Sequence, residues 1–434
     1  DIKFPIKWTT LGQYLEWLTG KGITPNVTSF VGATTVRVHE LGERDVQPTP
    51  EQLSRMRALV RQAMKEGAVG VGSSLIYAPA TYARTAELTA LAHEAARCGG
   101  MYISHMRDEG PKLLKAMDEL VSISRGSGAP AEIYHYKQAG TDNWHKIDAA
   151  IAKVNAARAS GLRITADMYT YAASSTGFDA AFPTWMQDGG LEAWIRRLKD
   201  PVLRNRAIAQ MKGPNGTENA KLVVDQPDKV LLVGFKTAKL KPLAGKTLAE
   251  VARERGKSPA EVAADLIVED GTRIQVVYFS MNPDNVKREI ALPWMSFGSD
   301  AGSQAPEGVF LKSSTHPRTY GNVARLLGHY VRDEHATTLE DAVRRLTLLP
   351  ATNLGLRQRG ALKPQYYADV VVFDPARIRD NATFEKPQQL ASGVEDVFVN
   401  GVQVMKDGQH TGAKPGRFLH GRGWTGWPGG GACH

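Results

Sequence analysis

From Met101 to Asp167 the chain repeats one pattern every 30 or so residues, the length of a βαβ unit: an apolar run, a stretch of helical periodicity, then the next apolar run. The runs are residues 101–105, 131–135 and 163–167, and the helical stretches between them are 110–124 and 144–159. Parallel strands with covering helices follow, and the regular spacing favours a closed β/α barrel over an open doubly wound sheet. In such a barrel, functional side chains gather at the C-terminal ends of strands. Two of the runs end in His105 and His135, and a later one, Trp294-Met295-Ser296-Phe297-Gly298-Ser299-Asp300, ends in an aspartate. Two histidines and an aspartate gathered at one barrel end are the residue set of a metal-dependent hydrolase.

The rest of the chain fits around this unit. Residues 26–31 and 68–73 read as strands. Residues 50–66 read as a helix, with Leu53, Met56, Leu59, Val60 and Ala63 on one face and Thr49 as N-cap. A helix over 86–98 leads through Gly99-Gly100 to the strand ending at His105. Between about 185 and 290 the repeat breaks. A polar stretch at 212–220, a strand at 230–235, helices at 248–255 and 259–269 and an apolar run at 274–279 suggest an inserted subdomain ahead of the last barrel strand. Helices at 322–334 and 339–347 follow. From residue 366 the tail reads as a small β-domain, with strands at 368–374 and 394–400 and an Asn400-Gly401 turn into 401–404. The expected organisation is a barrel over 1–365 carrying the insertion, then the C-terminal part of a small β-sandwich over 366–434.

Composition excludes some functions. No apolar run approaches the roughly 18–20 residues of a membrane span, so no membrane partner is expected. The formal charge is +9, but Lys and Arg are scattered among Asp and Glu with no basic stripe and interleaved aromatics, which argues against nucleic acid. A positive field suits a small anionic substrate instead. Cys98 and Cys433 are far apart in sequence and suggest neither a disulfide framework nor a redox pair. With no signal peptide in view, the cytoplasm is slightly favoured, and the oligomeric state stays open.

Seven segments in one order carry a resemblance: His105-Met106-Arg107-Asp108-Glu109, His135-Tyr136-Lys137, Asp167-Met168-Tyr169-Thr170-Tyr171, Gly298-Ser299-Asp300-Ala301-Gly302, His316-Pro317-Arg318-Thr319-Tyr320-Gly321, Leu349-Pro350-Ala351-Thr352-Asn353 and Ala368-Asp369-Val370-Val371-Val372-Phe373-Asp374. Together they resemble the N-acyl-D-amino-acid deacylases (D-aminoacylases) of the amidohydrolase superfamily. The resemblance implies a TIM-like (β/α)8 barrel with an inserted subdomain, a small β-sandwich and a site for one or two Zn2+ ions. It implies that His105 and His135 are metal ligands and that Asp300 is the general base and acid. Lys137, Tyr169 and Arg318 match positions that grip the substrate's α-carboxylate, and the implied partner is an N-acyl amino acid or a related amide.

The chain also departs from that pattern. It contains no His-x-His pair, which the family carries on its first barrel strand, and Cys98 does not stand where the family has a metal-binding cysteine. The N-terminal part of a usual member is therefore expected to be missing. Gly32-Ala33-Thr34 replaces the usual Gly-His-Gly, and Tyr169-Thr170-Tyr171 replaces Tyr-Pro-Tyr. Two rival readings stay open. One is a cyclic amidohydrolase of the dihydropyrimidinase or dihydroorotase kind, although residues 69–77 lack the metal-bridging lysine of those enzymes. The other is a catalytically inactive barrel. Plainer roles remain for single residues as well: Asp300 as a helix cap, Lys137 as a solvated charge, Asp167 as a turn residue or a support for the site, and His316 as a neighbour that positions Arg318.

Overall fold

The computed structural model describes residues 4–214 and 216–433. Its centre is a six-stranded parallel sheet, built from β1 (Val31–Gly32), β2 (Gly70–Ser74), β3 (Met101–His105), β4 (Ala131–Ile133) and β5 (Ile164–Met168), with one more strand contributed by Met295–Phe297. Between β5 and that last strand lie β6 (Ser174–Gly177), β7 (Val230–Gly234) and β8 (Gln275–Tyr278), which makes Met295–Phe297 β9. The order β1-β2-β3-β4-β5-β9 follows the sequence except where the insertion intervenes. Tyr102, Ala131, Ile164, Ala166 and Met295 are buried along it, which is why these strands read as apolar runs. Among the described residues β1 and β9 do not pair with each other, so the chain supplies six parallel strands rather than a closed ring of eight.

Helix starts follow local chemistry. Helix Pro50–Glu66 begins at Thr49, whose side chain accepts from Gln52 while Gln52 reaches back to the Thr49 N–H, and Gly67 ends it in the left-handed region. The same reciprocal caps open helices Leu248–Arg255 at Thr247 and Pro259–Asp270 at Ser258. The helix expected over 322–334 is instead α-helical at Arg318–Arg325 and π-helical at Leu326–Asp333.

The inserted unit has a core of its own. Strands β6, β8 and β7 form a three-stranded antiparallel sheet that starts at Ser174, ahead of the point where the sequence repeat breaks. Phe178, Trp194, Val230, Leu248, Ile267 and Tyr278 pack into a cluster separate from the barrel core. The tail forms a four-stranded antiparallel sheet from β10 (Val370–Phe373), β11 (Val394–Val399), β12 (Val402–Lys406) and β13 (Gln409–His410).

Two expectations are corrected here. Residues 26–31 are not one continuous strand: only Val31 belongs to the barrel sheet, in β1, while Val27 pairs with the tail, its N–H donating to the Arg417 carbonyl and its carbonyl accepting from Leu419. The second correction concerns the cysteines: Cys98 and Cys433 are disulfide-bonded across a separation of 335 residues. The tail makes this possible by returning under the barrel. At Gly421 a Cβ would lie 2.2 Å from the Ala68 carbonyl oxygen, so only glycine allows that approach. No helix among the described residues is long and apolar enough to cross a membrane.

The bond closes a long loop and therefore restricts the unfolded chain. Reduction is expected to lower stability by about 2–4 kcal/mol, read as a drop in Tm and faster proteolysis of the tail after Gly421. Equal Tm values with and without reductant would show that the crosslink contributes nothing.

Candidate metal centre and substrate pocket

β3 and β4 deliver His105 and His135 to the same end of the sheet, where both are buried. His105 Nδ1 lies 2.8 Å from His135 Nε2. The loop after β3 turns Glu109 back over them, with its carboxylate 3.1 Å from His135 Nδ1 and 3.8 Å from His105 Nε2. Lys137 completes the cluster, 2.7 Å from both Glu109 and His135 Nδ1. His135 has a φ of 36°, an unusual backbone state for a residue with a side chain. Asp167 at the end of β5 holds that turn: its carboxylate accepts the His135 N–H at 2.7 Å and its carbonyl accepts the Tyr136 N–H. The aspartate read as either a support or a turn residue is thus a support.

Burial dominates the electrostatics. It drives His105 down to about 3, even though Glu109 pulls the other way, so the ring is neutral with lone-pair nitrogen available. Burial alone would raise Glu109, but the Lys137 ammonium and the two imidazoles outweigh it and hold the carboxyl below its usual range. Lys137 keeps its proton because Glu109 outweighs its own burial.

His105, Glu109 and His135 can offer ligand atoms lying within 4.8 Å of one another. His105 Nε2 is buried with no hydrogen-bond partner. Two imidazoles and a carboxylate are the donor types zinc prefers, and an orphaned ring nitrogen facing the carboxylate is what a cation between them would satisfy. The residues present therefore fit a zinc ion. Glu109 carried no role in the sequence reading, although it stands four residues after the candidate ligand His105, in the loop that leaves β3.

The second half of the site comes from β9 and the segment after it. Asp300 follows β9 with a φ of 49° and forms an ion pair with Arg318, Oδ2 to Nη2, at 2.8 Å. Arg318 is buried, its guanidinium carbon 4.4 Å from the centre of the Tyr169 ring, while its Nε and Nη1 find no partner. His316 is a positioning residue. Its Nδ1 accepts the Arg318 backbone N–H, and its Nε2 lies 3.0 Å from the Ala173 carbonyl. His105, His135, Lys137, Tyr169, Asp300 and Arg318 all line one cavity of about 210 Å3. All six candidate residues thus meet, but Lys137 lies against Glu109 and His135 rather than beside Arg318.

The amidohydrolase family profile matches residues 3–405 of this chain. The chain belongs to the amidohydrolase family. It is 32% identical over 413 residues to the D-aminoacylase of Alcaligenes xylosoxydans xylosoxydans, covering 95% of this chain and 74% of that protein. It is 30% identical to an N-acyl-D-glutamate deacylase from the same organism, over 94% of this chain and 72% of the relative. Among solved structures, a D-aminoacylase superposes with a TM-score of 0.77 at 32% identity, covering 95% of this chain and 75% of that one. The N-acyl-D-glutamate deacylase of Bordetella bronchiseptica, solved with zinc and a phosphonate mimic of the tetrahedral intermediate, gives 0.78 at 28% identity, with the same coverage. This amidohydrolase therefore sits in the D-aminoacylase branch and spans about three quarters of its relatives.

Beneath the site, helix Pro283–Ile290 buries Glu289 near Gln138, and burial pushes the carboxyl up to about 8. A raised folded pKa gives stability that is full below the unfolded value near 4.5 and is lost as pH rises through 8. Glu289→Gln is expected to flatten the decline between pH 5 and 8 by something on the order of 1 kcal/mol per pH unit, measured by urea unfolding at several pH values. Parallel curves for the two proteins would contradict the assignment.

Proposed function

We propose that this amidohydrolase hydrolyses the amide bond of N-acyl-D-amino acids. The observation that carries the reading is the state of Arg318, a buried guanidinium with Nε and Nη1 unpartnered, in the same small cavity as His105, His135 and Asp300. Unpartnered charge-bearing donors in a buried cavity call for an anion, and guanidinium suits a carboxylate. The D-configuration comes from the relatives' activities rather than from the cavity.

In this mechanism His105, Glu109 and His135 would hold the zinc, which when bound would supply Lewis acidity towards the scissile carbonyl and make water acidic enough to ionise near neutral pH. Arg318 takes the substrate's α-carboxylate with its two free nitrogens while its third stays on Asp300, and the Tyr169 ring backs the guanidinium. Lys137 keeps Glu109 ionised and adds positive charge to the cavity. Asp300 accepts the proton of the attacking water and returns it to the departing amine nitrogen, so the amine leaves neutral. Asp300 suits this exchange because its side chain remains 42% exposed, open to water and to substrate.

The direct test is zinc-supplemented hydrolysis of paired N-acetyl-D- and N-acetyl-L-amino acids. Amine release from the D-series is expected, with Asp300→Asn retaining zinc but losing about 10²–10⁴ in rate. Release from the L-series alone, or from neither with zinc bound, would refute the proposal.

The carboxylate clamp has its own signature. Arg318 also holds Asp300, so Arg318→Ala lowers turnover of every substrate. The free acid is expected to lose about 10–100-fold more than its primary amide, which lacks the charge-assisted contact. Equal losses on acid and amide would remove Arg318 from carboxylate binding.

A further inference from the structure

The catalytic cavity does not end at its own walls. A groove of about 900 Å3 runs between the barrel and the inserted unit, and it shares Ile76, Glu218 and Asn219 with that cavity. These three residues form a saddle joining two spaces of very different size. Glu218 and Asn219 are each more than nine-tenths buried, and among the described residues neither side chain has a hydrogen-bond partner on another residue. Both therefore offer polar groups to whatever passes over the saddle. The approach is tight on the barrel side: a Cβ at Gly110 would lie 2.9 Å from the Glu218 side chain.

The charge inside the groove is mainly positive once its ion pairs are removed. Glu119 is taken by Arg107 through two hydrogen bonds and Asp118 by Lys153, which leaves Asp108, held by the backbone N–H groups of Gly110 and Lys112, as the one carboxyl on the barrel wall without an ion-pair partner among the described residues. Arg84, Lys112 and Lys115 line the same groove and have no carboxylate within ion-pair distance among the described residues. The groove thus begins in buried hydrogen-bonding groups at the saddle, where burial raises the Glu218 carboxyl to about 8, and carries an excess of positive charge along its barrel wall.

The two ends of the catalytic cavity differ correspondingly. Arg318 and Asp300 stand beside Tyr169 and the start of β6, whereas the saddle packs against the Glu109 loop. With the α-carboxylate on Arg318 and the scissile carbonyl at the histidines, the acyl group points towards the saddle.

We propose that the groove binds the acyl half of the substrate and selects N-acyl amino acids whose acyl chain is longer than acetyl and ends in a carboxylate. This rests on the deacylase reading and adds the substrate class to it. An acetyl group fills only the cavity of about 210 Å3; a dicarboxylic acyl chain crosses the saddle and carries its far carboxylate to Lys112 and Lys115.

The test uses the zinc-loaded protein and N-acetyl-, N-succinyl-, N-glutaryl-, N-adipoyl- and N-hexanoyl-D-leucine. The hexanoyl compound separates length from charge. The best dicarboxylic substrate is expected to exceed hexanoyl by about tenfold in kcat/KM, a preference that high salt weakens and that Lys115→Glu or Lys112→Glu cancels. Both lysines are exposed, so the variants are expected to fold, and either one alone suffices for the comparison. A dicarboxylate-to-hexanoyl ratio near one, or a ratio that charge reversal leaves intact, overturns the proposal while acetyl turnover upholds the deacylase reading. If no compound releases amine, calorimetric binding of N-adipoyl- and N-hexanoyl-D-leucine decides: tighter adipoyl binding that Lys115→Glu removes upholds the groove and rejects the reaction, and equal binding overturns the groove as well.

Discussion

Everything at the functional end of the sheet depends on keeping Glu109 ionised out of water. A buried carboxylate is costly unless it is paired and hydrogen-bonded, and the Lys137 ammonium and two imidazoles meet that need. The demand runs in both directions. Lys137 keeps its proton because Glu109 is beside it, and the two histidines lie where they do because β3 and β4 are in parallel register, Ser104 opposite Ile133. Removing any one member leaves the others with uncompensated charge or unmade hydrogen bonds. The cluster is therefore a unit, and the metal preference follows from it.

Both unusual backbone conformations at the site follow the same logic. His135 and Asp300 occupy the left-handed region, where a residue with a side chain persists only when its surroundings over-determine it. Asp167 fixes the first from the neighbouring strand, and Arg318 fixes the second from the segment beyond β9. Each strained residue is thus held by a polar side chain on a different element. That ties the shape of the site to the integrity of the sheet rather than to any one loop.

The sequence made the periodic elements legible because their determinants are local. Helix Pro50–Glu66 carries its apolar face, N-cap and terminal glycine within one stretch, and β3 and β4 are buried at every residue and β5 at every second one, so each reads as a mainly apolar run. Of the six candidate residues, His105, His135 and Asp300 stood out at the ends of apolar runs, whereas Lys137, Tyr169 and Arg318 entered only through the seven ordered segments. What stayed hidden depends on distant partners. Residues 26–31 look like any strand, and only the returning tail decides that Val27 pairs with it. Cys98 and Cys433 meet through the same return path, which no spacing rule encodes. Glu109 was visible as a letter in a motif, but its role appears only when the loop folds back over both histidines. Glu218 and Asn219 lay in a polar stretch with no periodicity, and the barrel wall opposite them gives them meaning.

The inserted unit is where this chain can differ in substrate without altering its chemistry. Residues that touch the reacting bond come from strand ends and adjoining loops of the barrel, whose positions the parallel register fixes. Glu218, Asn219 and the far wall of the groove come instead from a unit with its own core, so on the proposed reading substitutions there change the fit of the acyl group while leaving the cluster around Glu109 undisturbed. Arg318 belongs to neither arrangement alone. It follows β9, packs on Tyr169 and lies near the Ser175 carbonyl of β6, which couples the carboxylate-binding end to the inserted sheet. On the proposed reading, a substrate held at Arg318 and extended across Glu218 spans both units, and the gap between them reads its length.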